Sequence, residues 1–240
     1  MSQNIQTHAK TGVVRNPADA VGIVPAVSVG VSVYKPFLND AIWPWFYNDH
    51  YGDCTVAAAA HLAQEWAYVN GSAYVPSNDA VWKMYAGTPD FKIGTDEGRN
   101  VKDAVAWMSK HGLDGGHKAF GRKLTNTRAN LRAATYLLGG ALVTLNLPKS
   151  VINQRRWQVT ATNNAAGSYA NGNGLHCVAV VGYDSDLVYA VTWGQILPFT
   201  WAFFDRYVEE TWAMLGWDWC PGGTSPHGDS WANLAQSFGI

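Results

Sequence analysis

Two short stretches of this chain hold side chains able to do covalent chemistry: Asn48-Asp-His-Tyr-Gly-Asp-Cys54, which leads into Thr-Val-Ala-Ala-Ala-Ala-His61, and Leu175-His176-Cys-Val-Ala-Val-Val-Gly-Tyr183. A cysteine that opens a helix meets unpaired backbone N–H groups and the positive end of the helix dipole, and both favour a thiolate. Gly52 and Asp53 supply a tight turn into such a helix, so Cys54 reads as a nucleophile and His176 as its base. Cys177 alternates to the other face of the strand and reads as a space-filling thiol. His50 is a second candidate base, whereas His61, two helical turns beyond Cys54, sits about 10 Å along the axis, too far for proton transfer. His50, Cys54 and His176 follow no common zinc spacing and the three cysteines form no C-x-x-C clip, so neither a metal, a cofactor nor a disulfide framework is expected.

The elements that must position these residues follow from periodicity. Residues 55–69 read as a helix, with Val56, Ala59, Ala60, Ala63 and Ala67 on a small-residue face able to lie close on a sheet. Further helices are expected from Ser77 through Tyr85, over 99–110 with Gly112 as the stop, and over 127–138 before Gly139-Gly140. A buried strand is expected over 141–147, and a hairpin over 176–193 about the turn Asp184-Ser-Asp186. Residues 199–214 show helix-compatible spacing, and 216–227 read as irregular. The Asn-, Ala- and Gly-rich stretch 160–174 reads as a long loop ahead of His176, with Gly172-Asn-Gly174 giving close access to it. Trp157, Tyr169 and Trp193 are candidate walls for a substrate, with Gly174 beside them, and Asp96 reads as a turn former.

Composition narrows the function. Lys and Arg total 17 against 18 Asp and Glu, so no basic field exists to hold nucleic acid. The 12 tryptophans supply large amphipathic rings that suit a core, a groove or a protein interface. No apolar run reaches the length of a membrane span, and the first residues lack the order of a signal peptide, so a cytoplasmic or virion-associated place is expected, away from membranes. Residues 1–40, with Pro17, Pro25 and Pro36, read as an N-terminal arm around a single domain of two lobes at 41–240, and no stretch reads as a pro-segment.

The order of a cysteine-headed helix, further helices, a His-bearing strand and a hairpin ending in Trp193-Gly194 resembles the papain-like cysteine peptidases, including bacterial and phage papain-like proteins with Asn-Asp-x-x-Gly-Asp-Cys and Thr-Trp-Gly segments. The resemblance implies an α+β fold in which the helix headed by Cys54 packs on an antiparallel sheet. It implies that Asn48 stands where the family has an oxyanion-hole glutamine, and that His176 is the catalytic histidine. Val191 falls where the family has the asparagine that orients the imidazole, so Thr192 is the first substitute, with Asp184 and Gln195 behind it. The implied activity is thiol-dependent hydrolysis of a peptide or other amide bond. The competing reading is a catalytically silent papain-like component of a virion or other assembly, using the arm and aromatic surface to meet protein partners; Val191 and the tryptophan content favour it.

Overall fold

The computed structural model describes residues 9–15, 22–37, 41–89, 91–169 and 174–240. Pro17, Gly172 and Asn173, named above in the arm and the access loop, lie outside the described residues.

Helix α1, Cys54–Val69, is free of Gly and Pro, and of its 16 residues 14 are buried, from Cys54 through Ala67. A helix buried on nearly every side must lie within the molecule, and its alanines let neighbouring backbones approach. α1 packs directly on a strand, β3 (Leu175–Tyr183), which is itself buried at every residue. The contacts at its C-terminal half leave no room for larger groups: the Trp66 indole N–H donates to the Leu138 carbonyl, and a Cβ at Gly216 would stand 2.2 Å from the Trp66 ring. Helices α2 (Asn78–Gly87), α3 (Val101–His111) and α4 (Arg128–Leu137) are each capped by a side chain, Ser77, Asn100 and Thr127 respectively.

The other strands are β1 (Ala119–Leu124), β2 (Ala141–Asn146), β4 (Leu187–Thr192), β5 (Gln195–Thr200) and β6 (Val208–Gly216). They form one sheet in the order β1-β6-β2-β3-β4-β5, with every neighbouring pair antiparallel. In that register Thr144 of β2 lies opposite Cys177, and Leu145 lies opposite His176.

The reading of 199–214 as helical is corrected. The helix there, α5, covers only Trp201–Tyr207, and the chain then extends as β6 between β1 and β2. The space between two partners that need hydrogen bonds on both sides overrides local spacing, and Glu210 is accommodated by Lys123 of β1, Nζ to Oε1 2.9 Å. β1, β5 and a final helix α6 (Trp231–Phe238) were not expected, although Ser230 caps α6 and Gly239 ends it in the left-handed region.

The arm follows the body through three short pairings, Val13 with Arg99, Ile23 with Leu124 and Tyr34 with Tyr183. No helix among the described residues is long and apolar enough to cross a membrane.

Glu65 of α1 is fully buried, both its oxygens lack a hydrogen-bond partner among the described residues, and burial raises its pKa to about 8. The folded state therefore holds a proton that the unfolded chain releases above its ordinary value of 4.5. Stability from this group is full below 4.5 and falls as pH rises towards 8. The buried histidines, depressed to about 4 and about 3, are neutral in both states above pH 6.5, so the window 6.5 to 8 isolates carboxyl groups. Thermal denaturation of the wild type should show a falling Tm across that window, and Glu65→Gln should flatten the fall. An equal slope in the variant would show that Glu65 is not its source.

Candidate active site

Cys54 is the first residue of α1, but the Asp53 side chain does not cap the helix. The helix start is fastened from the 96–99 segment instead. Asp96 Oδ1 accepts from the Gly52 N–H at 2.7 Å and from the Tyr85 hydroxyl at 2.9 Å, and Thr55 Oγ1 donates to the Arg99 carbonyl at 3.0 Å. Asp96, read from sequence as a turn former, is thus also the anchor of the loop before Cys54. Ahead of that loop, Phe46 and Tyr47 both take positive φ, 53° and 70°, and the tight turn they make delivers Asn48 to the same place. The Asn48 amide donates to the Tyr51 carbonyl at 3.1 Å.

His176 is fully buried in β3. Its Nε2 lies 2.6 Å from Thr192 Oγ1, while its Nδ1 has no hydrogen-bond partner among the described residues. The Trp193 indole stacks on the imidazole with centroids 4.4 Å apart, and Trp157 meets both rings edge-on. Trp157 and Trp193 are 0% and 1% exposed, so in this state they enclose His176 and offer no open wall. Trp193 and Gly194 form the two-residue turn between β4 and β5, both with positive φ. Asp184 and Gln195 do not contact the imidazole by hydrogen bond; Asp184 is engaged by Lys35, Tyr189 and its own turn.

Cys54, Asn48, Thr192 and Trp193 border one small closed space together with Ala57, Ala58 and His61 of α1 and Cys177 and Val191 of the sheet, with no room in it for a water molecule. Among the described residues no hydrogen bond joins Cys54 to His176. The sulfur is approached instead by the backbone N–H groups of Cys177 and Gly12. His50 is exposed and paired with Asp49, and His61 is bound through Nε2 to the Pro44 carbonyl at 2.8 Å, so neither serves Cys54. No group of three His, Cys, Asp or Glu side chains among the described residues could hold a metal ion.

Gly12 belongs to the arm, and the arm is what closes the site. The Gly12 and Val13 N–H groups donate to the Leu175 carbonyl, Arg99 N–H donates to the Gly12 carbonyl, and Val14 N–H donates to the Arg99 carbonyl. Lys10 N–H donates to the Asn48 carbonyl, the Gly174 N–H donates to Thr11 Oγ1, and the Tyr169 hydroxyl donates to the Ala9 carbonyl. Gly174 and Tyr169, candidates for a substrate wall, thus hold the arm here. The crossing is narrow: a Cβ at Gly12 would stand 2.3 Å from the Gly52 carbonyl oxygen, and one at Gly98 would meet the Gly12 carbonyl. This crossing was not anticipated from the sequence, because Lys10-Thr-Gly-Val-Val carries no helical or strand signature of its own.

Burial also reverses the expected charge state. Desolvation raises the Cys54 thiol to about 12 despite N–H groups from Cys177 and Gly12 that favour the thiolate, and it lowers His176 to about 3. Both groups are neutral at pH 7.

The architecture is that of the papain-like cysteine proteases. Over 87% of this chain and 96% of the other it is similar to xylellain, a cysteine protease from Xylella fastidiosa, with 13% identity and a TM-score of 0.67. It is similar also to the cysteine protease and lectin-like domains of the surface-layer-associated protein Cwp84 of Clostridium difficile, with 10% identity and a TM-score of 0.63 over 87% of this chain and 56% of that one. Against the Clostridial cysteine protease Cwp84 after propeptide cleavage the values are 10% and 0.51, over 84% of this chain and 57% of the other. No protein-family model matches the chain, and no curated protein sequence does.

If the arm is seated through Gly12, Gly12→Ala should unseat it, since overpacking a tight contact costs about 1–3 kcal/mol. Iodoacetamide labelling of Cys54 in the native protein should then rise by on the order of ten- to a hundredfold. Unchanged labelling with unchanged folding would show that the arm does not shield the thiol.

Proposed function

We propose that the chain is a thiol-dependent hydrolase of peptide or other amide bonds, held latent by residues 9–15. Cys54 is the nucleophile, His176 the base, Thr192 the group that orients it, and Asn48 with the Cys54 N–H the oxyanion hole. Residues 41–240 act as one domain whose two lobes flank the substrate. The observation that carries this reading is the state of His176: one ring nitrogen is held by Thr192 under Trp193, and the other is fully buried without a partner. An unpaired buried polar atom costs about 1–3 kcal/mol, and a base awaiting a proton accounts for that cost.

With Nε2–H donating to Thr192 Oγ1, Nδ1 keeps its lone pair. Displacing Gly12 frees the sulfur and admits water, which lowers the thiol pKa and raises that of the imidazole. Cys54 then passes its proton to Nδ1 and attacks the carbonyl carbon, and the amide N–H groups of Asn48 and Cys54 receive the developing negative oxygen. The imidazolium protonates the leaving amine, and water, deprotonated by the same nitrogen, releases the acid and regenerates the thiol. A threonine hydroxyl can play the part of the family's asparagine because it also accepts a hydrogen bond. The clostridial protein solved after propeptide cleavage offers a precedent for a segment that is removed.

The seated arm also favours a second reading, a silent papain-like component of a larger assembly in which the arm only completes the core. One experiment separates the two. Gly12→Ala protein, or protein nicked within the arm, is exposed to activated esters and peptide electrophiles, and adducts are mapped by mass. An acyl adduct at Cys54 is expected, with His176→Ala slowing its formation by about 10²–10⁴-fold and Asn48→Ala lowering turnover by about 10²–10³-fold. No adduct with any electrophile, although iodoacetamide reaches Cys54, would establish the silent reading.

A further inference from the structure

Cys177 is a second thiol that the proposed hydrolysis does not use. Cys177 follows His176 on β3 and borders the same closed space as Cys54, together with Ala57, Ala58 and His61 of α1. Its own backbone N–H approaches the Cys54 sulfur, and the two side chains line one space. Both thiols are free and buried, and no described cation or carboxylate stands between them in the space they share.

From this placement we infer that Cys177 is a resolving thiol, and that Cys54 and Cys177 form a reversible redox pair which takes hydrogen peroxide as its oxidant. The inference rests on the reading of Cys54 as a reactive nucleophile. Once the arm is displaced and water enters, the Cys54 thiolate attacks one oxygen of hydrogen peroxide, the O–O bond breaks, Cys54 becomes a sulfenic acid, and the hydroxide that leaves takes up the proton the thiol gave up and becomes water. The Cys177 sulfur then attacks the sulfenic sulfur, an S–S bond forms, the S–O bond breaks, and a second water departs. One peroxide is reduced to two waters as two thiols are oxidised by two electrons. The product holds the nucleophile in a form that a dithiol can restore, whereas a lone Cys54 would proceed to sulfinic acid irreversibly. The space that Cys54 and Cys177 share is therefore a modification site as well as a packing contact.

The test uses the full chain carrying Gly12→Ala, in which iodoacetamide reaches Cys54, treated with hydrogen peroxide, then blocked with iodoacetamide and digested without reductant. The expected species joins the Cys54 and Cys177 peptides, two hydrogens lighter than their sum, and dithiothreitol removes it. On the Gly12→Ala background, Cys177→Ala and Cys177→Ser should both give Cys54 sulfinic acid that dithiothreitol does not reverse. Gly12→Ala protein that accumulates sulfinic acid at Cys54 with Cys177 still alkylated, that links Cys220 instead, or that gives no linked peptide would overturn the inference. The readout is a mass, so it is independent of turnover. An acyl adduct without the linked peptide sinks the redox pair and leaves the hydrolase standing, and the linked peptide without an acyl adduct does the reverse.

Discussion

The close contact between helix α1 and strand β3 is the constraint on which the rest of the site depends. The alanines from Ala57 to Ala60 and at Ala63 let the helix lie against the strand, and this brings the Cys54 sulfur to the backbone of residue 177. A larger side chain on the face of α1 that meets β3 would push the two apart by the thickness of a methylene or more, and a packed interior does not absorb such a change without strain. The loop before Cys54 is fastened separately, through Asp96 and Thr55, to the segment that also carries Arg99. Helix start, strand start and the Arg99 segment therefore converge, and the arm crosses at that convergence.

Two opposing effects act on the thiol, and their sizes decide its state. A helix N-terminus favours a negative charge by about 0.3–2 kcal/mol. Displacement of the Cys54 pKa from 9 to about 12 corresponds to about 4 kcal/mol the other way. Desolvation wins while Gly12 covers the sulfur, and the helix dipole can prevail only when water is present. Helix geometry alone does not make a reactive cysteine, because access to solvent enters with the larger magnitude.

Much of the architecture was legible in the sequence because helix boundaries carry local chemistry: Ser77, Thr127 and Gly112 mark the ends they were expected to mark. The apolar run after His176 and the turn at 184–186 likewise defined the central hairpin. β6 was hidden because its identity as a strand is set by the gap between β1 and β2, not by its own spacing. At the site, the contact between His176 and Thr192 could be anticipated from hairpin register, since a partner two residues from Gly194 lies on the imidazole's face of the sheet. The role of residues 9–15 could not, because a segment that binds through its backbone leaves almost no trace in its side chains beyond the single glycine where two chains touch.

The turn at Trp193-Gly194 has a consequence for how stability and site architecture share residues. Two-residue hairpin turns with positive φ at both positions favour Asn-Gly or Asp-Gly, and a bulky residue there holds backbone strain of about 1–3 kcal/mol. Here the first position is a tryptophan whose ring roofs the imidazole. The hairpin is thus deliberately imperfect as a hairpin. Asparagine at 193 would relieve that strain and remove the roof, so the strain of this turn and the enclosure of the imidazole are carried by one residue.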